Sequence, residues 1–400
     1  VINTVAAILA GGRGKRMDVL CHNRPKPALP FAGRFRVIDF SLSNCVYSDI
    51  SDLAILTDYQ RNSMAGYIQQ WRPVNAELRN MHILEPRNGS YRGTADAIYQ
   101  NLGYFNKRRA DAVLVLAGDH VYKFDYRKII ALHRERGADV TVGVTTVPME
   151  QAHRFGTVSV DVDGRITEFM EKSSTPQSNL ASMGIYVFNQ KALTERLIED
   201  ADDPWSLHDF GFSILPRMVA RDRVFSYRFD GYWQDIGTID AYYDANMDLL
   251  GRQPLFSLNS STPVLTPEAG ARPLCTGKHG SIRDSLVSPG CVINGHVENS
   301  VLSPRVWVEE GAVVKNSVVM GNTLIGKHSV IDRCVLDEDV RVGEYCYVGF
   351  GVSPSIEDSR VTVISKGVSV PAHTAIRHTS RVSPETGLSG FAAGHPILLS

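Results

Sequence analysis

Between Val306 and Val348 an apolar residue returns every six positions: Val306, Ala312, Val318, Leu324, Val330, Leu336, Val342 and Val348. Glycine or asparagine punctuates the intervals, at Gly311, Asn316, Gly321, Asn322, Gly326 and Gly343. A set of sandwich strands would show period two without a fixed six. The period of six is that of the hexapeptide β-helix, where each repeat forms one side of a coil. One apolar residue per side then stacks on its neighbour, so Val, Leu and Ala fill a narrow interior. We therefore expect a C-terminal left-handed parallel β-helix over residues 279–380.

The first part of the chain is patterned differently. Short apolar runs mark strands at Val5–Leu9, Ile50–Leu56, Ala112–Ala117, Val140–Val147 and Met183–Phe188. Helical patterns lie at Ser41–Tyr47, Ala95–Asn106, Tyr126–Arg136 and Lys191–Glu199. This alternation predicts an α/β, Rossmann-like, mixed but mostly parallel sheet with helices on both faces, over residues 1–249. Ligands of such sheets bind beyond the carboxyl ends of the strands. Residues 250–278 contain Pro254, Pro263, Pro267 and Pro273 and read as an extended linker. Residues 381–400 show no clear repeat and form a tail of unassigned role.

Composition narrows the function classes. The formal net charge of −1 gives no global field favouring nucleic acid or an anionic membrane. Six cysteines are dispersed without a Cys-x-x-Cys pair, which argues against zinc or thioredoxin-like chemistry and suits a reducing, cytoplasmic setting. No apolar run approaches the roughly 20 residues of a membrane span. The apolar start runs straight into a glycine turn, so it reads as a strand and not as a signal peptide.

That turn is Leu9-Ala10-Gly11-Gly12-Arg13-Gly14-Lys15-Arg16-Met17. Glycine lacks a Cβ, so its backbone N–H groups can approach a polyphosphate, and Arg13, Lys15 and Arg16 supply countercharge. A Walker loop would end in Gly-Lys-Ser/Thr, and a dinucleotide fingerprint needs an acidic residue closing the second strand; neither is present. The plain alternative is a tight surface turn with solvated basic residues. Further polar islands fall at strand–helix junctions. Gly118-Asp119 ends the Ala112–Ala117 run, and a carboxylate there suits a magnesium ion beside phosphates. Asp235, in Tyr232-Trp233-Gln234-Asp235, is a second candidate metal ligand. Lys26 sits between two prolines. Gly93-Thr94 opens a helix, with Thr94 as a candidate N-cap. Glu171-Lys172 ends a short strand, where a bland reading is an exposed ion pair of little consequence.

Taken together, these segments resemble the sugar-phosphate nucleotidylyltransferases, and within them the glucose-1-phosphate adenylyltransferase branch. The matching segments are LAGGRGKRM at 9–17, RPKPALPFAG at 24–33, RVIDFSLSN at 36–44, GTADAIYQN at 93–101, LAGDHVYKFDY at 116–126, ASMGIYVF at 181–188, DFGFSILP at 209–216 and YWQDIGTIDAYYDAN at 232–246. The resemblance implies ATP plus glucose 1-phosphate giving ADP-glucose and pyrophosphate, for α-glucan synthesis. It implies Arg16 on the leaving pyrophosphate and Lys26 on the reacting phosphates. Asp119 and Asp235 would hold Mg²⁺. Leu9, Gly11, Gly12, Gly14, Gly93, Thr94 and Gly118 would surround the nucleotide. Glu171, Lys172 and Ser182, with Tyr91, would take the sugar phosphate. It also implies a homotetramer and an anionic metabolite effector near Arg34, Arg36 and Lys366.

Two departures stand out. The usual Glu-Lys-Pro is Glu171-Lys172-Ser173 here, which would loosen the loop carrying Lys172. The stretch Ile83 to Asn88 lacks the glutamine that such relatives often keep near adenine. Three rival readings remain. The first is the same fold acting on another NTP or sugar phosphate. The second is a non-catalytic regulatory subunit, against which Arg16, Lys26, Asp119, Asp235 and Lys172 all stand. The third is an acyltransferase using His279, His296 or His328 as base.

Overall fold

The computed structural model describes residues 3–71, 80–259, 261–267, 270, 272–351, 360–386 and 397–399. The chain groups into two compact units, one formed by Val1–Gly12 and Ile38–Trp233, the other by Arg13–Val37 and Gln234–Ser400. The division therefore does not follow the chain order expected from the sequence. Residues 13–37 and 234–249 belong with the β-helix.

The first unit is built on nine strands: β1 (Thr4–Leu9), β2 (Asp52–Leu56), β3 (Asn80–Leu84), β4 (Ala112–Ala117), β5 (Val140–Thr146), β6 (Gly156–Val160), β7 (Ile166–Glu171), β8 (Leu180–Asn189) and β9 (Val224–Arg228). The sheet runs β7-β6-β8-β4-β1-β2-β3, with β5 pairing β8 and β9. Strands β3, β2, β1 and β4 are mutually parallel. The run ends at β8, which lies antiparallel to both β4 and β5, so the sheet is mixed. Val5, Ala6, Ala7 and Ile8 are all buried, as a strand covered on both faces requires. Helices α1 (Ile38–Tyr47), α2 (Arg61–Trp71), α3 (Thr94–Gln100), α4 (Leu102–Arg108), α5 (Tyr126–Glu135), α6 (Gln190–Ala201) and α7 (Leu215–Arg221) complete the unit. The helix expected at Ala95–Asn106 is two helices. Asn101 donates its amide to the Ala97 carbonyl four residues back (2.9 Å), and the backbone breaks there.

In the second unit three parallel sheets of six, seven and six short strands stack as a left-handed β-helix. Trp307 pairs with Leu324 and Leu324 with Arg341, so these coils are 17 residues and not 18, while the coil before them, Val292 to Trp307, is 15. The interior column is Val308, Val314, Val319, Ile325, Ile331, Leu336, Val342 and Val348, spaced by steps of six, six and five. The strict sixfold phase thus slips. Leu324 and Val330, expected inside, are half-buried, and Ile325 and Ile331 take their places. Corners turn through left-handed residues such as Asn316 and Asn322. Their amides ladder between coils: Asn299 to Asn316 (2.9 Å), Asn316 to Asp332 (3.0 Å) and Asn322 to Asp339 (3.0 Å). The coil begins at Cys275, inside the expected linker. Arg381–Val382 still pairs with Val363–Ile364, and Ile397–Leu399 pairs with Thr374–Ile376, so the expected tail contributes strands; residues 387–396 lie outside the described residues. Helix α8 (Ile239–Met247) completes this unit. Among the described residues no helix is long and apolar enough to cross a membrane.

Candidate active site

The parallel strands of the first unit end together at Leu84, Leu56, Leu9 and Ala117. Leu9 accepts from the Gly118 N–H (3.0 Å) and Leu56 from the Ala10 N–H (2.8 Å), so Gly11, Gly12 and Gly118 leave the sheet at one edge. Asp119 follows, with its side chain 31% exposed. His120 Nδ1 lies 3.0 Å from the Met183 carbonyl and 3.3 Å from the Trp233 indole nitrogen. Its Nε2 lies 3.5 Å from the Asp119 carboxylate. The Asp119 carboxylate oxygen suits a hard cation. The segment returning from this edge is fastened to α1 by buried polar side chains. Asn44 donates to the Tyr122 carbonyl (3.2 Å) and accepts from the Phe124 N–H (3.1 Å), and the Ser48 hydroxyl accepts from the Tyr126 N–H (2.8 Å). Two of the most distinctive sequence segments, 36–44 and 116–126, are therefore one interlocked piece.

Gly93 precedes α3 at a close approach. A Cβ there would lie 2.3 Å from the His208 carbonyl oxygen, which accepts from the N–H groups of Ala95 (2.9 Å) and Asp96 (3.2 Å). Gly93, not Thr94, is the N-cap. The Thr94 hydroxyl instead donates to Asp209 (2.8 Å) and accepts from the Phe210 N–H (3.0 Å). Tyr91 is also committed within the protein. Its hydroxyl donates to the Leu84 carbonyl (3.3 Å) and accepts from Asn101 (3.0 Å), and burial pushes its pKa up to about 12.

The Asp209 turn links this helix start to the end of β7. Glu171 is only 14% exposed and pairs with Lys172 at 3.0 Å. Its carboxylate fills the space beside Gly211, where a Cβ would come within 2.4 Å of Oε2. Burial raises the Glu171 pKa against the pull of Lys172. Lys172, about half exposed and in a left-handed conformation (φ 48°), lies 5.5 Å from the Phe212 ring centroid. Ser173, standing where proline was expected, closes the turn itself by accepting from the Thr175 N–H (3.2 Å). Ser182 is buried and donates to the Tyr186 hydroxyl (3.2 Å).

In the second unit Gly14 (φ 62°) opens a 3₁₀ turn, Lys15–Cys21, which carries Arg16. Lys26, its side chain 8% exposed, donates to Asp235 at 3.1 Å. A Cβ on Gly237 would stand 3.3 Å from the Arg16 guanidinium and 2.8 Å from Asp235 Oδ2, so Arg16, Lys26 and Asp235 lie together. Arg24 anchors the same segment, donating to Glu338 (2.8 Å), to Asp337 and to the Leu20 carbonyl (3.1 Å). Arg36 and Lys366 also converge on Glu338, at 3.7 and 3.0 Å. Burial opposes them, yet these three cations hold the Glu338 carboxyl below its usual range, while burial pushes Asp337 up. Arg34 stacks on Phe35 at 5.2 Å instead.

Residues 5–252 match the family described as nucleotidyl transferase. Residues 271–376 match that described as GlmU-like, C-terminal hexapeptide. Glucose-1-phosphate adenylyltransferase of Acetivibrio thermocellus is 42% identical, covering 92% of this chain and 90% of its own. That of Thermomicrobium roseum is 43% identical over 96% and 94%. That of Desulfitobacterium hafniense is 39% identical over 96% and 98%. The chain belongs to the glucose-1-phosphate adenylyltransferase family of nucleotidyltransferases. Within a family member of this design, the residues that sequence reasoning missed are those acting through tertiary contacts. Asp209 bonds Thr94 across 115 residues, and Arg24 reaches Asp337 across 313. The Asp-Phe-Gly at 209–211 carried the one legible signal, an aspartate able to cap the following turn: its carboxylate accepts from the Gly211 and Phe212 N–H groups (2.9 and 3.1 Å). Two of the three histidines of the acyltransferase reading are held in contacts of the coil. His296 bonds Ser281 and Glu298, and His328 stacks on Tyr345.

Proposed function

We propose that this chain joins ATP and glucose 1-phosphate into ADP-glucose with release of pyrophosphate. The observation that carries this reading is the Lys26–Asp235 pair beside the Arg16 guanidinium. A sugar-phosphate oxygen forms a bond to the α-phosphorus of ATP as the bond to the pyrophosphate oxygen breaks in line. No covalent nucleophile is needed, so positioning and charge neutralisation do the work. Arg16 holds the departing pyrophosphate, the N–H groups of Gly11, Gly12 and Gly14 surround the nucleotide, and Lys26 neutralises the reacting phosphate. Gly93 lines the base. Glu171, Lys172 and Ser182 hold the sugar phosphate, Lys172 through its phosphate. Asp119 and Asp235 hold Mg²⁺, which neutralises phosphate charge when bound. Thr94 and Tyr91 serve by shaping the site, since their hydroxyls are already paired.

The direct test is pyrophosphate release with ATP, glucose 1-phosphate and Mg²⁺, run against UTP and GTP and against mannose and N-acetylglucosamine phosphates. Turnover without a partner chain excludes the regulatory-subunit reading. Preference for another NTP or sugar overturns the substrate assignment. A second reading rests on the meeting of Arg36 and Lys366 at Glu338. An anionic metabolite competing with Glu338 for these cations changes the rate in a homotetramer. A flat response to sugar phosphates, pyruvate and inorganic phosphate removes the effector, and light scattering tests the tetramer.

A further inference from the structure

The loop between β3 and Gly93 has no strand or helix of its own, and residues 87–90 are exposed. Glu85 at its start accepts from Arg61 (3.2 Å), and the backbone of residues 87–90 is tied to the body of the unit through one side chain. Gln100, in the last turn of α3, accepts at Oε1 from the Arg87 N–H (2.8 Å) and the Asn88 N–H (3.4 Å). Its amide nitrogen donates to Asp96 (2.7 Å) and toward the Ser90 carbonyl (3.5 Å). Both acceptor sites and both donors of the amide are thus used. Asp96 is buried and accepts from the Arg92 N–H (3.0 Å) and the Arg92 guanidinium (3.1 and 2.7 Å). The sequence of contacts runs from a buried carboxylate to a half-buried amide to an exposed loop. The far end of that loop is Tyr91, whose N–H donates to Asp58 (3.2 Å), and Asp58 packs against Gly11. The loop is therefore held between the helix of Gly93 and the glycine turn.

We propose that Gln100 is a positioning residue for nucleobase selection, fixing the 87–90 loop over the base side of the nucleotide site. This rests on the assignment of Gly93 to the base made above. Backbone N–H groups gripped by an amide present the loop in one conformation. Freed, the loop samples many, and ordering it falls on the incoming nucleotide. The cost then appears in nucleotide affinity and base discrimination, not in the chemical step.

The test uses full-length protein, first assayed as wild type. Pyrophosphate release with ATP and glucose 1-phosphate supports the assigned reaction independently of Gln100. Gln100→Leu keeps the volume and removes all four bonds. Its KM for ATP is expected to rise about tenfold, with kcat within about threefold, and the ATP-to-GTP preference to narrow. KM for glucose 1-phosphate should stay put. Gln100→Glu retains the acceptor for the Arg87 and Asn88 N–H groups but meets Asp96 with like charge, so its KM for ATP should fall between. Thermal melting confirms that each variant is folded. An unchanged KM and base preference in folded Gln100→Leu overturns the proposal. So does a parallel loss in melting temperature, kcat and both KM values, the mark of a merely structural amide.

Discussion

Lys26 is the sharpest single residue in the proposed chemistry, because a nearly buried ammonium paired with Asp235 has its position fixed before substrate arrives. Lys26→Ala should lower kcat by at least about a hundredfold, the scale of a lost charge-stabilising group, with smaller changes in KM. Lys26→Arg should not restore it, since a planar guanidinium is not a point charge on a flexible stem. Asp119→Asn should show a loss of similar size; a near-normal rate would remove Asp119 from the metal role. At Lys172 the expected signature differs. The side chain is about half exposed and ends a binding loop, so Lys172→Ala should raise KM for glucose 1-phosphate about tenfold or more, with less effect on kcat. Away from the site, His133 carries a pH dependence. Burial, helped by Arg223 and opposed by Asp139, lowers its pKa from 6.5 to about 4, and its ring sits 3.0 Å from the Thr141 hydroxyl. Below pH 6.5 the unfolded chain takes up a proton that the native state refuses, so stability falls as pH drops from 6.5 towards 4. His133→Asn should flatten the dependence of melting temperature on pH in that window. An unchanged slope would show that other groups set it.

At the scale of elements, what could be read from the sequence was whatever local chemistry dictates. The strands at Ala112–Ala117 and Val140–Thr146 are runs of apolar residues that a doubly covered sheet demands, and the pattern alone marks them. The glycine turn was legible because its glycines and basic residues are adjacent. The break between α3 and α4 was not, because Asn101 breaks the helix with a side-chain bond that period counting does not see. The coil was legible as a β-helix but not in its phase, since one five-residue step per turn displaces Leu324 and Val330 from the column. Pairings such as Thr94 with Asp209 and Arg24 with Asp337 were invisible, because no local pattern records a partner so distant. The Arg24 pairing carries a stability prediction. Its carboxylate partner is 1% exposed, so Asp337→Ala leaves a buried guanidinium short of a partner. The expected loss is about 3–5 kcal/mol, read from urea unfolding. The double replacement Arg24→Met, Asp337→Leu should cost less than either single change, because neither charge is then stranded.

The whole molecule sets a limit on how the chain can be divided. Sequence patterning invites a cut near residue 249, leaving an α/β fragment that holds every proposed catalytic side chain. The contacts say otherwise, because the segment carrying Arg16, Lys26 and Arg24 groups with the β-helix. Its supports lie beyond the cut. Arg24 needs Asp337 and Glu338, Gly33 packs against Leu286, Ser288 and the Leu302 carbonyl, and the Tyr243 hydroxyl of α8 donates to the Asn316 carbonyl (2.8 Å). Removing residues 250–400 would strand the nearly buried Arg24 guanidinium and expose the face of α8 that these contacts cover. The 1–249 fragment should therefore show no pyrophosphate release, even where circular dichroism retains the signal of the sheet and helices of the first unit. Proteolysis should cut it first within 13–37, where mass spectrometry can place the cleavage. Supplying residues 250–400 as a separate chain offers the stranded groups their partners again and should restore part of the activity. A fragment ending at 249 that turns over at the full-length rate would show that the β-helix is dispensable for seating Arg16 and Lys26.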